Sequence, residues 1–258
     1  GINCGVFNPF KPSLNILHNN RDHRKIAIID SYIAFTGGNN LADEYVNLIE
    51  RFGHWKDASV MLQGEAVWNL TVMFLQSWDL FNPAVREDVN NLRPHTYHPE
   101  PFPSDGFIQP FGDSPLDDEN VSELAYMNII HQAQNYVYIT TPYLIVDNEM
   151  IVSLVLAAKS GVDVRIITPA VYDKWYVHMV TRAYYPPLIK AGVKIYEYTP
   201  GFIHSKMFIS DDKIGILGTC NMDFRSFYMH FECGVWMYKS SQLAIMKEDF
   251  LRTLEVCQ

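Results

Sequence analysis

The chain has 258 residues, of which 48% are hydrophobic and 19% are charged. This composition is typical of a folded globular protein and excludes disordered and collagen-like chains. Its 20 basic and 29 acidic residues give a formal net charge of −9. That charge argues against a broad nucleic-acid-binding surface, which would need clustered lysine and arginine. Four widely separated cysteines with no CxxC pair argue against a zinc or disulfide framework.

The first predicted element is a strand–turn–strand unit near the amino end. Residues 23–30 and 33–35 are predicted strands, with a turn at Asp30-Ser31-Tyr32 between them. A proline-rich stretch, residues 83–115, follows. Because proline suits neither a helix interior nor a central strand, this stretch is predicted to be an irregular connector.

Helices and strands are predicted to alternate after the connector. The predicted helices cover residues 119–134, 150–159 and 176–191, and the predicted strands cover residues 136–141, 162–168 and 193–198. Such alternation predicts an α/β fold with a mostly parallel sheet and helices packed on its faces. A second strand–turn–strand unit, residues 204–211 and 214–217, follows.

The two strand–turn–strand units carry two copies of one motif, HxKxxxxD. In both copies a glycine follows the histidine by 14 residues and an asparagine follows it by 17. The repeated residues are His23, Lys25, Asp30, Gly37 and Asn40 in the first copy and His204, Lys206, Asp211, Gly218 and Asn221 in the second. Spacing shared over this length predicts an internal duplication.

Histidine and lysine two residues apart on a strand point to the same face. If the two units lie side by side, two imidazoles, two ammonium groups and two amides converge in a site that suits a phosphodiester. Lysine and asparagine would hold the non-bridging oxygens. One neutral histidine would attack phosphorus, and the other, protonated, would donate a proton to the leaving alkoxide. This chemistry predicts neither a metal nor a cofactor.

Other residues are assigned around these pairs. Asp57, 34 residues after His23, and Glu232, 28 residues after His204, are candidates to orient the imidazoles. Asp30 and Asp211 fall at the turns and are assigned to turn structure before chemistry. The two glycines are expected to let a bound group approach the backbone. The two asparagines are expected to contact phosphate, with capping of helices that begin at residues 41 and 222 as the alternative.

Two further groups are given structural interpretations. The remaining histidines, His230 among them, show no ligand spacing and are expected to be structural or exposed. The aromatic cluster of Trp175, Tyr176, Tyr184 and Tyr185 is interpreted as core packing, with the border of a lipid entrance as the alternative.

These residues resemble the phospholipase D superfamily, whose members carry two HxKxxxxD motifs, each followed by a Gly–Ser/Thr–x–Asn element. Residues 21–30, 35–40, 52–57, 74–78, 140–143 and 218–232 look like bacterial cardiolipin synthases. The resemblance implies an α/β fold of two phospholipase D-like repeats, with mixed sheets flanked by helices and a pseudo-two-fold axis through the active site. Residues 1–82 would be a partial first repeat, 83–118 the connector and 119–258 the second repeat.

The resemblance also implies phosphatidyl transfer between two phosphatidylglycerol molecules, giving cardiolipin and glycerol through a phosphohistidine. His23 would be the nucleophile and His204 the acid, and the catalytic set would comprise both motifs with Asp30 and Asp211. Thr219 would contact phosphate through its hydroxyl, which Gly38 lacks in the first copy. Two alternatives remain open: hydrolysis with water as acceptor, as in a phospholipase or nuclease, and a non-catalytic lipid-binding module.

The expected partner is a phospholipid, phosphatidylglycerol, and not nucleic acid; the oligomeric state is left open. The longest apolar run, residues 151–158, is too short to span a bilayer. The resemblance implies a bacterial cell-membrane enzyme with its catalytic part on the cytoplasmic side, anchored by segments outside this chain. The sequence is therefore expected to be a fragment of that enzyme.

Overall fold

A computed structural model of the chain describes residues 1–9, 19–79, 89–93 and 103–258. Up to residue 113 its strands are β1 (Ile26–Ile29), β2 (Ile33–Gly37), β3 (His54–Lys56), β4 (Ser59–Gln63) and β5 (Phe107–Asp113), with helix α1 (Val67–Asp79). Short 3₁₀ helices cover Asp43–Val46 and Val89–Leu92.

The elements after residue 113 alternate as the sequence predicts. The helices are α2 (Val121–Gln132), α3 (Asn148–Lys159), α4 (Trp175–Ala183), α5 (Tyr185–Ala191), α6 (Phe224–Tyr228) and α7 (Gln242–Leu254). The strands are β6 (Tyr136–Thr140), β7 (Leu144–Ile145), β8 (Asp163–Pro169), β9 (Lys194–Tyr198), β10 (Gly201–Ile203), β11 (Met207–Ser210), β12 (Ile214–Gly218), β13 (Met222–Asp223) and β14 (Glu232–Tyr238).

Within the described residues, the largest sheet has seven strands in the order β5-β14-β12-β11-β6-β8-β9. Only β6, β8 and β9 run parallel to one another, because they are joined by helical crossovers. The hairpin β11–β12 and strands β14 and β5 add antiparallel pairs. The sheet is therefore mixed, as the resemblance implies, and not mostly parallel.

The core lies on both faces of this sheet. Neighbouring residues of β8 and β11 point to opposite sides, so Ile166 and Phe208 join one hydrophobic cluster while Ile167 and Met207 join the other. Helices α2, α3 and α5 cover the first face, and α1 and α7 cover the second. Burial on both faces explains why these strands are apolar at nearly every position.

The two motif hairpins have the same register and the same turn. In β1–β2 and in β11–β12, the residue three after the histidine lies opposite the residue thirteen after it. Both turns hold two residues with φ near 50°, Asp30 and Ser31 in one and Asp211 and Asp212 in the other. The next residue, Tyr32 or Lys213, donates its amide to the carbonyl of Ile29 or Ser210, which closes a β-turn within each three-residue loop. Strands β1 and β2 form a separate three-stranded sheet with β4, whereas β11 and β12 lie in the middle of the seven-stranded sheet.

Two sequence predictions are wrong in detail. The connector was predicted to be irregular, but Phe107–Asp113 forms β5, paired with β14. Pro110 is tolerated there because β5 is an edge strand and needs no hydrogen-bond donor on its outer side. The predicted helix 176–191 is divided into α4 and α5, because Pro186 and Pro187 fit only the first turn of a helix.

Residues 83–88 and 94–102 of the connector lie outside the described residues. The boundaries at residues 82 and 118, and the pseudo-two-fold relation of two whole repeats, stay predictions. Each described helix is too short or too polar to cross a bilayer.

Gly218 ends β12 where the neighbouring strand comes close. A Cβ atom there would lie 2.4 Å from the Cys233 carbonyl oxygen and 2.7 Å from Gly234 Cα. We expect Gly218→Ala to lower the free energy of unfolding by about 1–3 kcal/mol, because strand backbones must move apart. The measurement is equilibrium denaturation in urea.

The control for this prediction is Gly112→Ala in the same sheet. The atoms nearest to a Cβ at Gly112 belong to the flexible side chain of Met73, the first of them at 3.4 Å. Equal losses of stability in the two variants would show that close strand approach is not the reason for glycine at position 218.

Candidate active site

Each motif histidine is placed by a backbone hydrogen bond to the other half of the chain. Strand β10 runs parallel to β3, and the His204 amide donates to the Lys56 carbonyl at 2.7 Å. In the same way Asp22 forms a parallel bridge with Phe231, and the His23 amide donates to the Phe231 carbonyl at 2.9 Å. The residue after each accepting carbonyl is a carboxylate, Asp57 or Glu232.

The carboxylates therefore cross over between the two motifs. His204 Nδ1 lies 2.8 Å from Asp57 Oδ2, and His23 Nδ1 lies 2.9 and 3.0 Å from the two oxygens of Glu232. Spacing along the chain associates each carboxylate with the motif that precedes it, whereas the structure pairs each with the opposite motif. A carboxylate on Nδ1 holds the proton there, which leaves Nε2 with its lone pair.

Both imidazoles line one cavity of about 300 Å³. The sequence-predicted asparagines, Asn40 and Asn221, line it too. The remaining lining residues are Tyr45, Trp55, Tyr143, Asp173, Lys174, Asp223, Arg225 and His230. Larger cavities of about 650 and 620 Å³ lie elsewhere, and neither contains a motif histidine.

The motif lysines lie against their own backbone. Lys25 Nζ donates to the His23 carbonyl and Lys206 Nζ donates to the His204 carbonyl. Lys206 is only 2% exposed, and this burial lowers its pKa to about 7. Burial also lowers the pKa of Lys25. Both ammonium groups are thus held in a medium of low polarity, where their charge acts strongly on the imidazoles.

The electrostatics favour neutral imidazoles and ionised carboxylates. Burial lowers the pKa of His23, and it lowers that of His204 to about 4. Burial works to raise the pKa of Glu232, but the interaction with His23, followed by the neighbouring His230 and the hydroxyl of Thr219, lowers it to about 2. For Asp57, the charge of Lys206 and the hydrogen bond with His204 outweigh burial and lower the pKa.

Thr219 and Gly38 occupy equivalent positions but differ in their contacts. The Thr219 amide donates to the Cys233 carbonyl and the Gly38 amide to the Ala58 carbonyl. The Thr219 hydroxyl, predicted to contact phosphate, is fully buried and donates to Glu232. At Gly38 a Cβ would lie 2.1 Å from Asp57 Oδ1, so the carboxylate occupies the space of a side chain.

The turn aspartates lie away from the cavity. Asp211 accepts hydrogen bonds from the amides of residues 134–136, at 2.7, 2.9 and 2.9 Å, and so fastens the β11–β12 turn to the start of β6. Asp30 is exposed at the first turn. Neither residue lines the cavity.

Helix capping is wrong as an explanation of the two asparagines. Asp223, not Asn221, caps α6 by accepting from the Ser226 amide at 2.8 Å. Ala42 precedes the 3₁₀ helix Asp43–Val46 and makes no side-chain cap. Gly37 and Gly218 were expected to let a bound group approach the backbone. The structure gives a different reason for glycine, because the space of a side chain is filled by a neighbouring strand, β4 at Gly37 and β14 at Gly218.

Sequence reasoning missed several cavity residues. His230 was expected to be structural or exposed, yet it lies in the cavity wall with its ring centroid 5.3 Å from that of His23. Its position two residues before Glu232 was the available signal.

Of the aromatic cluster interpreted as core, Trp175 and Tyr176 are 63% and 55% exposed, whereas Tyr184 and Tyr185 pack against the core.

Known proteins resemble this chain over its whole length. A family model described as "Cardiolipin synthase, PLD-like domain" matches residues 126–254. An uncharacterised protein of Streptococcus mutans is 49% identical over 255 residues, which cover 99% of this chain and 54% of that protein. A cardiolipin synthase of Halalkalibacterium halodurans is 38% identical over 258 residues, 99% of this chain and 50% of that protein. The chain spans about half the length of these relatives.

Two solved structures share the fold at low sequence identity. Phosphatidylserine synthase of Haemophilus influenzae matches with a TM-score of 0.67 and 13% identity, over 92% of this chain and 62% of that chain. Nuc of Salmonella typhimurium, a phospholipase D family member, matches with a TM-score of 0.50 and 17% identity, over 59% of this chain and 96% of that chain. These similarities support the fold class.

Buried Lys206 makes the stability of the protein depend on pH. Its folded-state pKa of about 7 lies below the ordinary 10.5. Between these values the unfolded chain binds more protons, so stability rises with pH. Lys206 should contribute a rise in the free energy of unfolding of about 1 kcal/mol per pH unit between about pH 7 and 9, and we expect this rise to be absent in Lys206→Met.

The measurement is the unfolding free energy of both proteins across that pH range. Lys213→Met, at an exposed lysine of the β11–β12 turn, provides the background slope. Parallel pH profiles for wild type and Lys206→Met would mean that the lysine is not held in a poorly solvated state.

Proposed function

The chain belongs to the cardiolipin synthase family of phospholipase D-like proteins, and on this basis we propose that the protein transfers a phosphatidyl group between two phosphatidylglycerol molecules. The products are cardiolipin and glycerol. The observation that carries this proposal is the single cavity lined by both motif imidazoles, each with a carboxylate on Nδ1.

In the first step His23 Nε2 attacks the phosphorus of one phosphatidylglycerol. The bond between phosphorus and the head-group glycerol oxygen breaks, and that oxygen takes a proton from His204 Nε2. His204 is neutral without substrate, and the anionic phosphodiester raises its pKa so that it enters the step protonated. The cavity-lining amides of Asn40 and Asn221 bind the non-bridging oxygens, and the charges of the two motif lysines, which do not line the cavity, stabilise these oxygens over a longer distance.

In the second step the hydroxyl of another phosphatidylglycerol attacks the phosphohistidine. His204, now neutral, takes the hydroxyl proton as the general base. The bond from phosphorus to His23 Nε2 breaks, and cardiolipin leaves. The step restores neutral His23 and leaves a proton on His204, which returns to solvent when cardiolipin leaves.

The assignment of His23 as nucleophile is supported by its carboxylate. Phosphorylated imidazole carries positive charge, which a carboxylate that stays ionised stabilises. Glu232 is fully buried, bonds to His23 through both oxygens and accepts a further bond from Thr219. The His23 side chain is also the more accessible of the two, at 24% exposure against 9% for His204.

A bilayer surface is the proposed location, with the site on the cytoplasmic side. Next to cavity-lining Lys174, Trp175 is 63% exposed and Met179, one helical turn further, is also 63% exposed. Large apolar side chains beside a phospholipid site suit contact with a bilayer interface. The four cysteines are all free thiols, as is usual in a reducing compartment.

The decisive assay incubates the protein with phosphatidylglycerol vesicles and separates cardiolipin from phosphatidic acid. We expect the wild type to form cardiolipin. The rate should fall at least about 10³-fold in His23→Asn, which lacks the nucleophile, and in His204→Asn, which lacks the general acid and base. His54→Asn is the control, since His54 bonds to Tyr198 outside the cavity.

Two results of this assay contradict the proposal. Phosphatidic acid without cardiolipin would make water the acceptor and the protein a phospholipase. Full activity in both histidine variants, with native unfolding curves, would remove catalysis from this cavity and leave a lipid-binding role.

A second experiment separates the two histidine roles. With a phosphatidyl donor whose leaving group is an acidic phenol, the acid becomes dispensable for the first step. We expect His204→Asn to accumulate a phosphoenzyme that is stable in alkali and labile in acid, and His23→Asn to form none. Mass spectrometry locates the modified residue. Labelling of His204 in His23→Asn, with none in His204→Asn, would reverse the two roles.

A further inference from the structure

His230 is an imidazole that the proposed reaction leaves unused. Both of its ring nitrogens are buried and have no hydrogen-bond partner among the described residues. Its Nδ1 lies 3.6 Å from Glu232 Oε1, beyond hydrogen-bond length, and its ring is tilted against that of His23. A buried polar group without a partner points to a missing water, ion or functional role.

The atoms around His230 match the donor spacing of a transition-metal site. His23, His230 and Glu232 each offer one ligand atom, and these atoms lie within 4.8 Å of one another. Glu232 Oε1 is 2.9 Å from His23 Nδ1 and 3.6 Å from His230 Nδ1. Bonds of the length found in zinc sites place tetrahedral donors about 3.3 Å apart. We propose that His23, His230 and Glu232 form a binding site for a divalent transition metal such as Zn²⁺.

The donor set and the neighbouring charges select the class of metal. Two imidazoles and one carboxylate suit Zn²⁺ and similar ions, whereas Mg²⁺ and Ca²⁺ require mostly oxygen ligands. The ammonium groups of Lys25 and Lys206 repel any cation, so electrostatic attraction to Glu232 alone is insufficient. Only a metal with strong bonds to nitrogen overcomes that repulsion. Both histidines line the cavity, whereas Glu232 is fully buried.

Metal binding removes His23 as a nucleophile, and this consequence rests on the proposed function. In the present geometry Nδ1–H of His23 faces Glu232, and Nε2 carries the lone pair that attacks phosphorus. A metal binds Nδ1 only after the proton leaves that nitrogen, and the proton moves to Nε2, where it uses the Nε2 lone pair. The Nε2–H imidazole has no lone pair for phosphorus. Zn²⁺ bound at this site is therefore an inhibitor of the transfer.

The first arm of the test measures binding without turnover. Zn²⁺ is titrated against a chromophoric chelator with wild type, His230→Asn and the control His178→Asn, which changes a histidine of α4 outside the cavity. We expect wild type and His178→Asn to bind one more equivalent of Zn²⁺ tightly than His230→Asn does, or to bind that equivalent with at least about tenfold higher affinity. ¹⁵N-histidine NMR should show the His23 proton moving from Nδ1 to Nε2.

Equal stoichiometry and affinity in wild type and His230→Asn would overturn the metal site. If His230→Asn fails to fold, judged by its unfolding curve, His230→Gln takes its place. Mg²⁺ serves as the negative control, and tight Mg²⁺ binding at this site would contradict the assigned metal class.

The second arm measures inhibition of cardiolipin formation. Half-inhibition of His230→Asn, relative to its own metal-free rate, should need at least about tenfold more Zn²⁺ than half-inhibition of wild type, and chelation should restore both rates. Binding without inhibition would overturn the tautomer mechanism. A wild type that binds Zn²⁺ but never forms cardiolipin would refute the proposed function while the first arm upholds the metal site.

Discussion

The site depends on a crossed pair of contacts between the two halves of the chain. Each motif histidine donates its backbone amide to a carbonyl of the other half, and its imidazole meets the carboxylate of the next residue, Asp57 or Glu232. Neither half alone holds a complete imidazole–carboxylate pair. A buried carboxylate without its partner is strongly destabilising, so the same contact that completes the site also holds the halves together.

The two halves repeat this arrangement without being identical. The backbone amides of Gly38 and Thr219 each donate to the carbonyl of the residue after the carboxylate, Asp57 or Glu232. This hydrogen bond fixes the position of the carboxylate in each half. Thr219 adds a hydroxyl bond to Glu232, whereas at Gly38 the space of a side chain is filled by Asp57 itself. Two histidines with the same motif therefore have different surroundings. That difference is a physical basis for a nucleophile and an acid with separate roles.

The sequence predicted those parts of the molecule that local chemistry determines. The family and the α/β fold class are confirmed, and the motif hairpins form where alternating strands and turn residues predict them. The crossing of the carboxylates was beyond reach, because Asp57 and His204 are 147 residues apart and no local rule pairs them. The division between α4 and α5 was readable from Pro186 and Pro187. Strand β5 was not, since only its edge position makes Pro110 acceptable.

Charge balance in the cavity connects the fold to the proposed chemistry. Beside the two motif imidazoles lie the carboxylates of Asp57 and Glu232 and the amino groups of Lys25 and Lys206, and burial lowers the pKa of both lysines. A phosphodiester adds one negative charge to these surroundings, which favours protonation of one imidazole. Because burial makes uncompensated charge costly, substrate binding and arrival of the catalytic proton are coupled. The low pKa of His204 without substrate then links protonation of the acid to the presence of the phosphodiester.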